Sequence, residues 1–191
     1  ANVERAVAIA AGILDSGGSA IEAAVEACVV LEDDPVFNAG TGSVFRTDGS
    51  VHLDASIQTS EGKMGFVIGM QDTPNPIRVA ADLLDEDING LTGEGARIWA
   101  DSKGFEKSNV QGRPPFEGAT DTVGVVARDK SGLIVCATST GGTSNRPPGR
   151  VGDVPLPGCG FWVQDGVGVG ATGIGEAITR GMISLRVADR I

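Results

Sequence analysis

The sequence predicts an α+β fold in which helices cover antiparallel sheets, and three observations support this prediction. The chain begins with helical runs, continues with strand-like runs and returns to helical runs; after a linker, more strands and a final helix follow. This order indicates that helices and strands form separate layers. Tight-turn sequences separate successive strand-like runs, as in antiparallel hairpins. The chain has 191 residues, of which 41% are hydrophobic, so one domain over residues 1–191 can bury a core.

The first half of the chain is predicted to place strands between two groups of helices. Ser19 and Glu22 form a capping box before an apolar stripe, so a second helix begins there. Over residues 51–58, apolar residues alternate with polar ones, which predicts a strand with one buried face and one polar face. The other predicted elements are a helix at 2–14, a hairpin joining 43–46 to 51–58 through a turn at 47–50, a strand at 66–70, and helices at 76–85 and 94–102.

The second half is predicted to be a linker followed by paired strands. Residues 104–121 contain glycine, proline and polar residues without periodicity, which is typical of a surface linker. Four strand-like runs follow in two pairs, with turns at 129–132 and 164–166. The predicted strands are 122–128, 133–140, 159–163 and 167–172, and a final helix is predicted at 175–187.

Composition excludes several classes of function. The 15 basic residues and 25 acidic ones give a net charge of −10, whereas nucleic-acid binding requires a basic surface. No run approaches the roughly 20 apolar residues of a membrane helix, so we expect no membrane partner. Cys28, Cys136 and Cys159 form no CxxC pair, as in a protein of a reducing compartment, and we predict a cytoplasmic location. His52 is the only histidine, so imidazole is a poor candidate for the catalytic base.

A glycine-rich run near the end of the chain has two interpretations. Gly168, Gly170 and Gly173 fit the GxGxxG spacing of a dinucleotide-binding loop. No complete strand–helix–strand unit surrounds this run, and its neighbours are predicted hairpins, so this interpretation is the weaker one. The other interpretation is a strand that delivers Thr172 and Gly173 to a helix N-terminus, where free N–H groups stabilise an oxyanion.

A second candidate feature begins where the linker ends. Thr122 opens a predicted buried strand, which by itself reflects only the strand propensity of threonine. The strand paired with it ends at Thr140, so we expect the two hydroxyls to lie close together. Arg150 and Asp153 then provide a fixed cation and a carboxylate, which suit the α-carboxylate and α-ammonium of an amino acid. A plain surface ion pair is the alternative interpretation of these two residues.

Several segments, in this order, resemble the plant-type asparaginase/isoaspartyl aminopeptidase family of N-terminal-nucleophile hydrolases. They are LEDDPVFNAGTGSVFRTDGSVHLDASI, DTVGVVARDKSGLIVCATSTGG, PPGRVGDVPLPGCG and VGATGIGE, and the resemblance covers about residues 7–180. It implies a four-layer αββα sandwich, autocleavage between Asp121 and Thr122, and a homodimer of αβ units. The α portion would be residues 1–121 and the β portion residues 122–191.

The resemblance also implies the catalytic roles of matching residues. Thr122 would be the nucleophile and the new N-terminus, Thr140 would tune it, and Asn38 would lie near it. Thr172 and Gly173 would form the oxyanion hole. The reaction would be hydrolysis of the side-chain amide of L-asparagine or of a β-aspartyl dipeptide, with no cofactor required for catalysis.

Binding roles follow from the same resemblance. Arg150 and Asp153 would hold the carboxylate and the ammonium of this small-molecule substrate, as their chemistry already suggests. A structural sodium ion would be bound by a loop that carries its ligands on the backbone. These ligands would be the carbonyl oxygens of Leu31, Glu32, Asp34, Phe37, Ala39 and Thr41.

Departures from the family pattern leave alternatives open. Family members begin with a His-Gly-Gly-Ala-Gly-like strand and continue for several strands past Ile191, so we expect residues to be missing at both ends and in the linker. Glycosylasparaginases share this chemistry but usually have TSTNG where this chain has TSTGG. A threonine aspartase is disfavoured because Asp153 is retained. An uncleaved, inactive scaffold is a further alternative.

Overall fold

A computed structural model describes residues 2–114 and 122–191, which contain six α-helices and seven β-strands. Short turns of 3-10 helix lie at Gly40–Gly42 and Leu83–Asp85. The helices are α1 (Asn2–Asp15), α2 (Ala20–Glu32), α3 (Pro76–Asp82), α4 (Gly93–Ser102), α5 (Gly175–Gly181) and α6 (Ile183–Ala188). The strands are β1 (Leu53–Thr59), β2 (Met64–Met70), β3 (Gly90–Thr92), β4 (Val123–Arg128), β5 (Ile134–Thr140), β6 (Phe161–Gln164) and β7 (Val167–Gly170).

The central element is a five-stranded mixed sheet in the order β3-β2-β1-β5-β4. All of its neighbours are antiparallel except β3, which runs parallel to β2. Strands β6 and β7 form a separate antiparallel hairpin. The sequence prediction of mixed helices and strands is confirmed, whereas a purely antiparallel arrangement is wrong because of β3.

Helices and the hairpin cover opposite faces of this sheet. Helices α2 and α3 pack on one face, and α1 packs on α2. The hairpin β6–β7 packs on β5 and β1 from the other side, and α6 packs on the hairpin. Alternation therefore buries both faces of β1: Leu53 and Ile57 enter the main core under the helices, whereas Ser56 and Gln58 point toward the hairpin.

Local signals set the start of α2 as the sequence predicts. Ser19 has an extended backbone and its side chain accepts a hydrogen bond from the Glu22 amide at 3.1 Å. This bond satisfies one of the N–H groups that a helix leaves unpaired at its start. Most of α2 is buried, which is why its residues are largely alanine, valine and other apolar types. Among the described helices, none has the length and apolar character needed to cross a bilayer.

The predicted hairpin of 43–46 with 51–58 is wrong. The tight turn exists, because the Arg46 amide donates to the Ser50 carbonyl at 2.8 Å. However, Val44 pairs with Arg113 instead, in an isolated parallel bridge. Strand β1 pairs with β2 along one edge and with β5 along the other, and all of its residues are buried.

Two further predictions need correction. The predicted helix at 175–187 is broken at Met182, whose left-handed backbone (φ 44°) separates α5 from α6. The described part of the predicted surface linker is tied to the protein: the Ser108 amide donates to the Asp72 carbonyl at 3.1 Å, and the Arg113 amide to the Ser43 carbonyl at 2.9 Å. Asp121, half of the predicted cleavage site, lies outside the described residues.

Candidate active site

Three polar side chains lie in a row where strands β4, β5 and β1 meet the end of the sheet. Asp54 is directly opposite Thr140 in the β1–β5 ladder, and Val123 is opposite Ser139 in the β4–β5 ladder, so Thr122 continues that ladder opposite Thr140. Opposed residues of antiparallel strands project from the same face. Thr122, Thr140 and Asp54 therefore share the face that carries the β6–β7 hairpin.

The two threonine hydroxyls are in hydrogen-bond contact. Thr122 Oγ1 donates to Thr140 Oγ1 at 3.3 Å, and Thr140 Oγ1 also accepts from the Gly142 amide at 3.0 Å. Thr140 is buried, whereas Thr122 is partly exposed to solvent. A hydroxyl in this position is accessible to a reactant on one side and is oriented by a fixed neighbour on the other. This is the proximity that the sequence predicted for the two residues.

Asn38 supports the turn that follows Thr140. It is fully buried, its side-chain amide donates to the Gly142 carbonyl, and its Oδ1 accepts from the Val44 amide at 3.0 Å. Its own carbonyl accepts from the Gly141 amide at 2.8 Å. Asn38 thus fixes Gly141 and Gly142, and through the Gly142 amide it acts on Thr140. The structure places the residue one hydrogen-bonded link from Thr140.

A cavity of about 230 Å³ opens beside Thr122. Thr172 lines it from the opposite side, at the end of the segment that follows β7. Gly173 comes next, with a φ of 149°, just before α5 begins at Gly175. Both predicted oxyanion-hole residues are exposed, and Thr172 lines the cavity that contains the predicted nucleophile. The remaining lining residues are Val123, Gly124, Val125, Val126, Thr138, Gly170 and Ala171.

Arg150 and Asp153 lie together beside the start of α5, although the ion-pair partner of Arg150 is Glu176. A Cβ added to Gly175 would lie 2.8 Å from both Arg150 Nη2 and Asp153 Oδ1, so only glycine fits between them. Arg150 donates through Nε and Nη2 to one oxygen of Glu176, at 3.1 and 3.0 Å. Burial raises the pKa of Asp153, and its Oδ2 has no hydrogen-bond partner among the described residues.

Glu176, Arg46 and Asp54 are charged residues of this region that the sequence prediction missed. Arg46 is 3% exposed and Asp54 is 1% exposed, so both charges are almost completely buried. Burial raises the pKa of Asp54 to about 6, and Arg46 and Arg150 oppose that shift. The sequence offered one signal for Asp54, since it stands on the polar face of the strand predicted at 51–58. Glu176 becomes part of the site only through the long-range packing of α5.

Replacement of Asp54 by asparagine is expected to remove a pH dependence of stability. The pKa of Asp54 rises from 3.8 to about 6 on folding. Its contribution to the free energy of unfolding is therefore fully present below pH 3.8 and is lost as the pH rises through 6. The loss should reach a few kcal/mol, because one pKa unit corresponds to about 1.4 kcal/mol. Urea unfolding of parent and variant at pH 4, 5, 6 and 7 should show curves that converge at low pH and separate as the pH rises. Parallel curves would contradict this prediction.

The predicted sodium loop brings carbonyl oxygens close together. A Cβ added to Gly42 would lie 2.0 Å from the Phe37 carbonyl oxygen, and one added to Gly40 would lie 2.5 Å from that of Glu32, so glycine lets these carbonyls approach. Asp34 Oδ2 is buried without a partner among the described residues. No cluster of three or more His, Cys, Asp or Glu side chains that could hold a metal occurs in residues 2–114 and 122–191. The sodium ligation expected from the sequence stays a prediction.

The glycines of the GxGxxG run are explained by packing. Gly168 and Gly170 lie in the β6–β7 hairpin, which stacks on the main sheet. A Cβ added to Gly168 would lie 2.9 Å from both Ile134 Cγ2 and Val126 Cγ1. The strand thus needs glycine for close contact with its neighbours, and its antiparallel hairpin lacks the strand–helix–strand geometry of a dinucleotide site.

Comparison with known proteins identifies the family. A family model described as Asparaginase matches residues 1–113 and 108–191. The chain is 39% identical to a plant-type L-asparaginase of Pyrobaculum calidifontis (90% of this chain, 66% of the relative) and 39% identical to an isoaspartyl peptidase/L-asparaginase of Homo sapiens (92% and 65%). It is 35% identical to an isoaspartyl peptidase of Salmonella typhimurium (92% and 66%), so it spans about two thirds of the length of these relatives. The chain belongs to the asparaginase family described by that model.

Proposed function

We propose that this chain forms most of a self-processing threonine hydrolase that cleaves the side-chain amide of L-asparagine and the isopeptide bond of β-aspartyl dipeptides. The observation that carries the proposal is the hydrogen bond from Thr122 to Thr140, at 3.3 Å, beside an open cavity. The names of the relatives, L-asparaginase and isoaspartyl peptidase, support the choice of substrates.

Maturation begins with the hydroxyl of Thr122. Its Oγ attacks the carbonyl carbon of Asp121, and an N→O acyl shift converts the peptide bond into an ester. The shift frees the α-amine of Thr122, and water then hydrolyses the ester, which releases the carboxylate of Asp121 and restores the Thr122 hydroxyl. A chain-terminal amine has a pKa of about 7.7–8.0, so near neutral pH it can accept the proton of its own hydroxyl. The new amine therefore replaces the histidine base that this site lacks.

Turnover uses the same oxygen. Thr122 Oγ attacks the side-chain carbonyl of the substrate, and the backbone N–H groups at Thr172 and Gly173 stabilise the tetrahedral oxyanion. Ammonia or an amino acid leaves with a proton returned from the α-amine, and water hydrolyses the β-aspartyl ester to release aspartate. Thr140 keeps the Thr122 hydroxyl in one orientation throughout, and Asn38 holds the Gly142 amide that fixes Thr140.

Recognition of the α-amino acid group is assigned to Arg150 and Asp153. Glu176 uses Nε and Nη2 of Arg150, and Nη1, which takes no part in that pair, would donate to the α-carboxylate. The unpartnered Oδ2 of Asp153 can accept from an α-ammonium group, and this second charge would restore the ionised form that burial disfavours. The close approach of both residues to Gly175 supports a single binding position for the two charged groups of the substrate.

The broader organisation is proposed on the same basis. The helices, the sheet, the hairpin and α6 lie in an order that supports a four-layer αββα sandwich, in which residues 1–121 would form the α portion and 122–191 the β portion. We further propose a homodimer of αβ units in the cytoplasm, where the three free, buried thiols would stay reduced. A sodium ion on the backbone carbonyls of Leu31, Glu32, Asp34, Phe37, Ala39 and Thr41 would hold the loop that presents Asn38.

A direct assay tests the substrate class. The protein is expressed from its full-length gene, allowed to mature, and incubated with L-asparagine, L-glutamine and a β-aspartyl dipeptide. We expect release of L-aspartate from L-asparagine and the β-aspartyl dipeptide and no reaction with L-glutamine, whose carbonyl lies one methylene farther from the α-carbon. Hydrolysis of none of these compounds by a fully cleaved protein would contradict the proposal.

A further inference from the structure

Arg46 is a buried cation with unused hydrogen-bond donors. Its side chain is 3% exposed, and its Nε and Nη1 have no hydrogen-bond partner in the part of the chain that the structure describes. Its Nη2 donates a long hydrogen bond to the carbonyl of His52, at 3.4 Å. Buried guanidinium groups normally have their donors satisfied, because removing an unpaired charge from water is strongly unfavourable.

The guanidinium group of Arg46 lies against the turn that follows Thr140. A Cβ added to Gly142 would be 2.4 Å from Nη1 and 2.6 Å from Nη2, so the guanidinium contacts the Gly142 backbone directly. The amide of the same glycine donates to Thr140 Oγ1, which in turn accepts from Thr122. Two short contacts thus connect Arg46 with the hydroxyl pair of the candidate active site.

Charged neighbours of both signs surround Arg46 on the side of the active site. Burial lowers the pKa of Arg46, the nearby carboxylate of Asp54 opposes this shift, and the positive charge of Arg150 adds to it. Arg150 has its own partner in Glu176, whereas Arg46 and Asp54 form no ion pair within 4.0 Å in the described chain. An anion bound between the two arginines would relieve their mutual repulsion and satisfy the unused donors.

We propose that Arg46 is a second carboxylate-binding residue of the substrate site, acting beside Arg150. This inference rests on the proposed function, since the carboxylate belongs to the amino-acid substrate. Two carboxylates are available: the α-carboxylate, which every substrate of this class carries, and the carboxylate of the leaving amino acid, which only a β-aspartyl dipeptide carries. Arg46 therefore contributes to the selection of anionic substrates, in addition to the charge of Arg150.

Arg97 shows what a purely structural buried arginine looks like in this protein. It is 8% exposed, and its donors are fully engaged: Nε bonds Asp101, Nη1 bonds the Thr73 hydroxyl, and Nη2 bonds the Phe105 carbonyl. Arg46 differs from Arg97 in having strong donors left over. Arg97 is therefore a matched control for the effect of altering a buried arginine.

The test compares Arg46→Lys, Arg46→Gln and Arg97→Lys in the mature full-length enzyme, with L-asparagine and a β-aspartyl dipeptide as substrates. For Arg46→Gln we expect KM to rise about 10- to 100-fold, as for loss of a charge-assisted hydrogen bond, with kcat changed much less. Arg46→Lys keeps the charge without the fork and should lie between parent and Arg46→Gln. A rise in KM for both substrates assigns Arg46 to the α-carboxylate. A rise in KM for the dipeptide alone assigns it to the carboxylate of the leaving amino acid.

The α-carboxylate assignment can also be tested without turnover. The product L-aspartate carries this group, and its binding is measured as the rise in Tm that it causes. Arg97→Lys should lower Tm but leave KM unchanged. Arg46→Lys keeps the buried charge and can be measured even if Arg46→Gln does not fold. The inference is overturned if Arg46→Lys has the parent KM for both substrates. It is also overturned if Arg46→Lys and Arg97→Lys raise KM equally. Failure of the proposed function would appear separately, as a cleaved parent enzyme that hydrolyses neither substrate.

Discussion

Replacement of Thr122 by alanine is expected to keep the protein as one chain and to lower turnover by roughly 10,000-fold or more, the size of effect seen when a nucleophile is removed. Without the hydroxyl, neither the N→O shift nor the attack on substrate can occur. The methyl group of alanine fits the same position, so the sheet should be preserved. A denaturing gel, N-terminal sequencing and hydrolysis of a β-aspartyl dipeptide give the three measurements, and the parent should yield a smaller fragment beginning at Thr122.

Two variants separate chemistry from folding in this experiment. Thr122→Ser keeps a hydroxyl and should cleave itself, more slowly than the parent. Thr59→Ala makes the same change at the buried last residue of β1, at the end of that strand away from Asp54. It should lower Tm but leave cleavage and turnover intact. A Thr122→Ala protein that is still processed, or a parent whose new N-terminus is another residue, would refute the mechanism.

Substitution of Arg150 or Asp153 should reduce kcat/KM for β-aspartyl dipeptides while largely preserving self-cleavage. The peptide before Thr122 has no free α-carboxylate or α-ammonium, so maturation does not need these two charges. Loss of either should cost about 2–5 kcal/mol in transition-state binding, which is the range for breaking a desolvated charge pair. That range corresponds to roughly 30- to 5,000-fold in kcat/KM. Arg150→Lys should be impaired as well, because it cannot reproduce the planar fork.

The Arg78–Glu26 pair provides a matched control for Arg150. Arg78 donates through Nη1 and Nη2 to the two oxygens of Glu26, at 2.7 and 2.9 Å, and is partly exposed. Arg78→Lys therefore also removes a two-donor arginine–glutamate pair, far along the chain from the candidate site. Self-cleavage on a gel and steady-state kinetics would be measured for Arg150→Ala, Arg150→Lys, Asp153→Ala and Arg78→Lys. If the first three retain the parent kcat/KM, Arg150 and Asp153 serve only as structural charges and the substrate class loses its main physical support.

Local sequence signals predicted elements well and pairings less well. The cap at Ser19, the alternation from Leu53 and the strand after Thr122 all depend on neighbours within a few residues, and the structure has them. The hairpin at 43–46 failed because a tight turn does not decide which strand its flanks will pair with. The break at Met182 was equally invisible, since the apolar pattern continues across a residue that adopts a left-handed backbone.

The same distinction applies to the candidate site. The contact between Thr122 and Thr140 could be inferred because β4 and β5 are joined by a short turn, which sets their register. The position of Asp54 opposite Thr140 could not, because it depends on pairing of strands about 80 residues apart in the chain. Arg46 and Glu176 likewise enter the region only through tertiary packing, and a charged residue in a sequence carries no sign of the depth at which it will be buried.

The ladder between β1 and β5 has a consequence for how the protein can be assembled. Its paired positions, from Asp54–Thr140 to Thr59–Val135, join segments from opposite sides of the proposed cut. The uncut precursor finds this pairing within one molecule, and its refolding rate is therefore independent of concentration. After the cut, the same pairing requires an encounter between two polypeptides, each carrying an unprotected strand edge. Maturation would thus make folding irreversible in practice: a denatured precursor could recover on its own, whereas denatured mature protein would depend on dilution and on competition with aggregation.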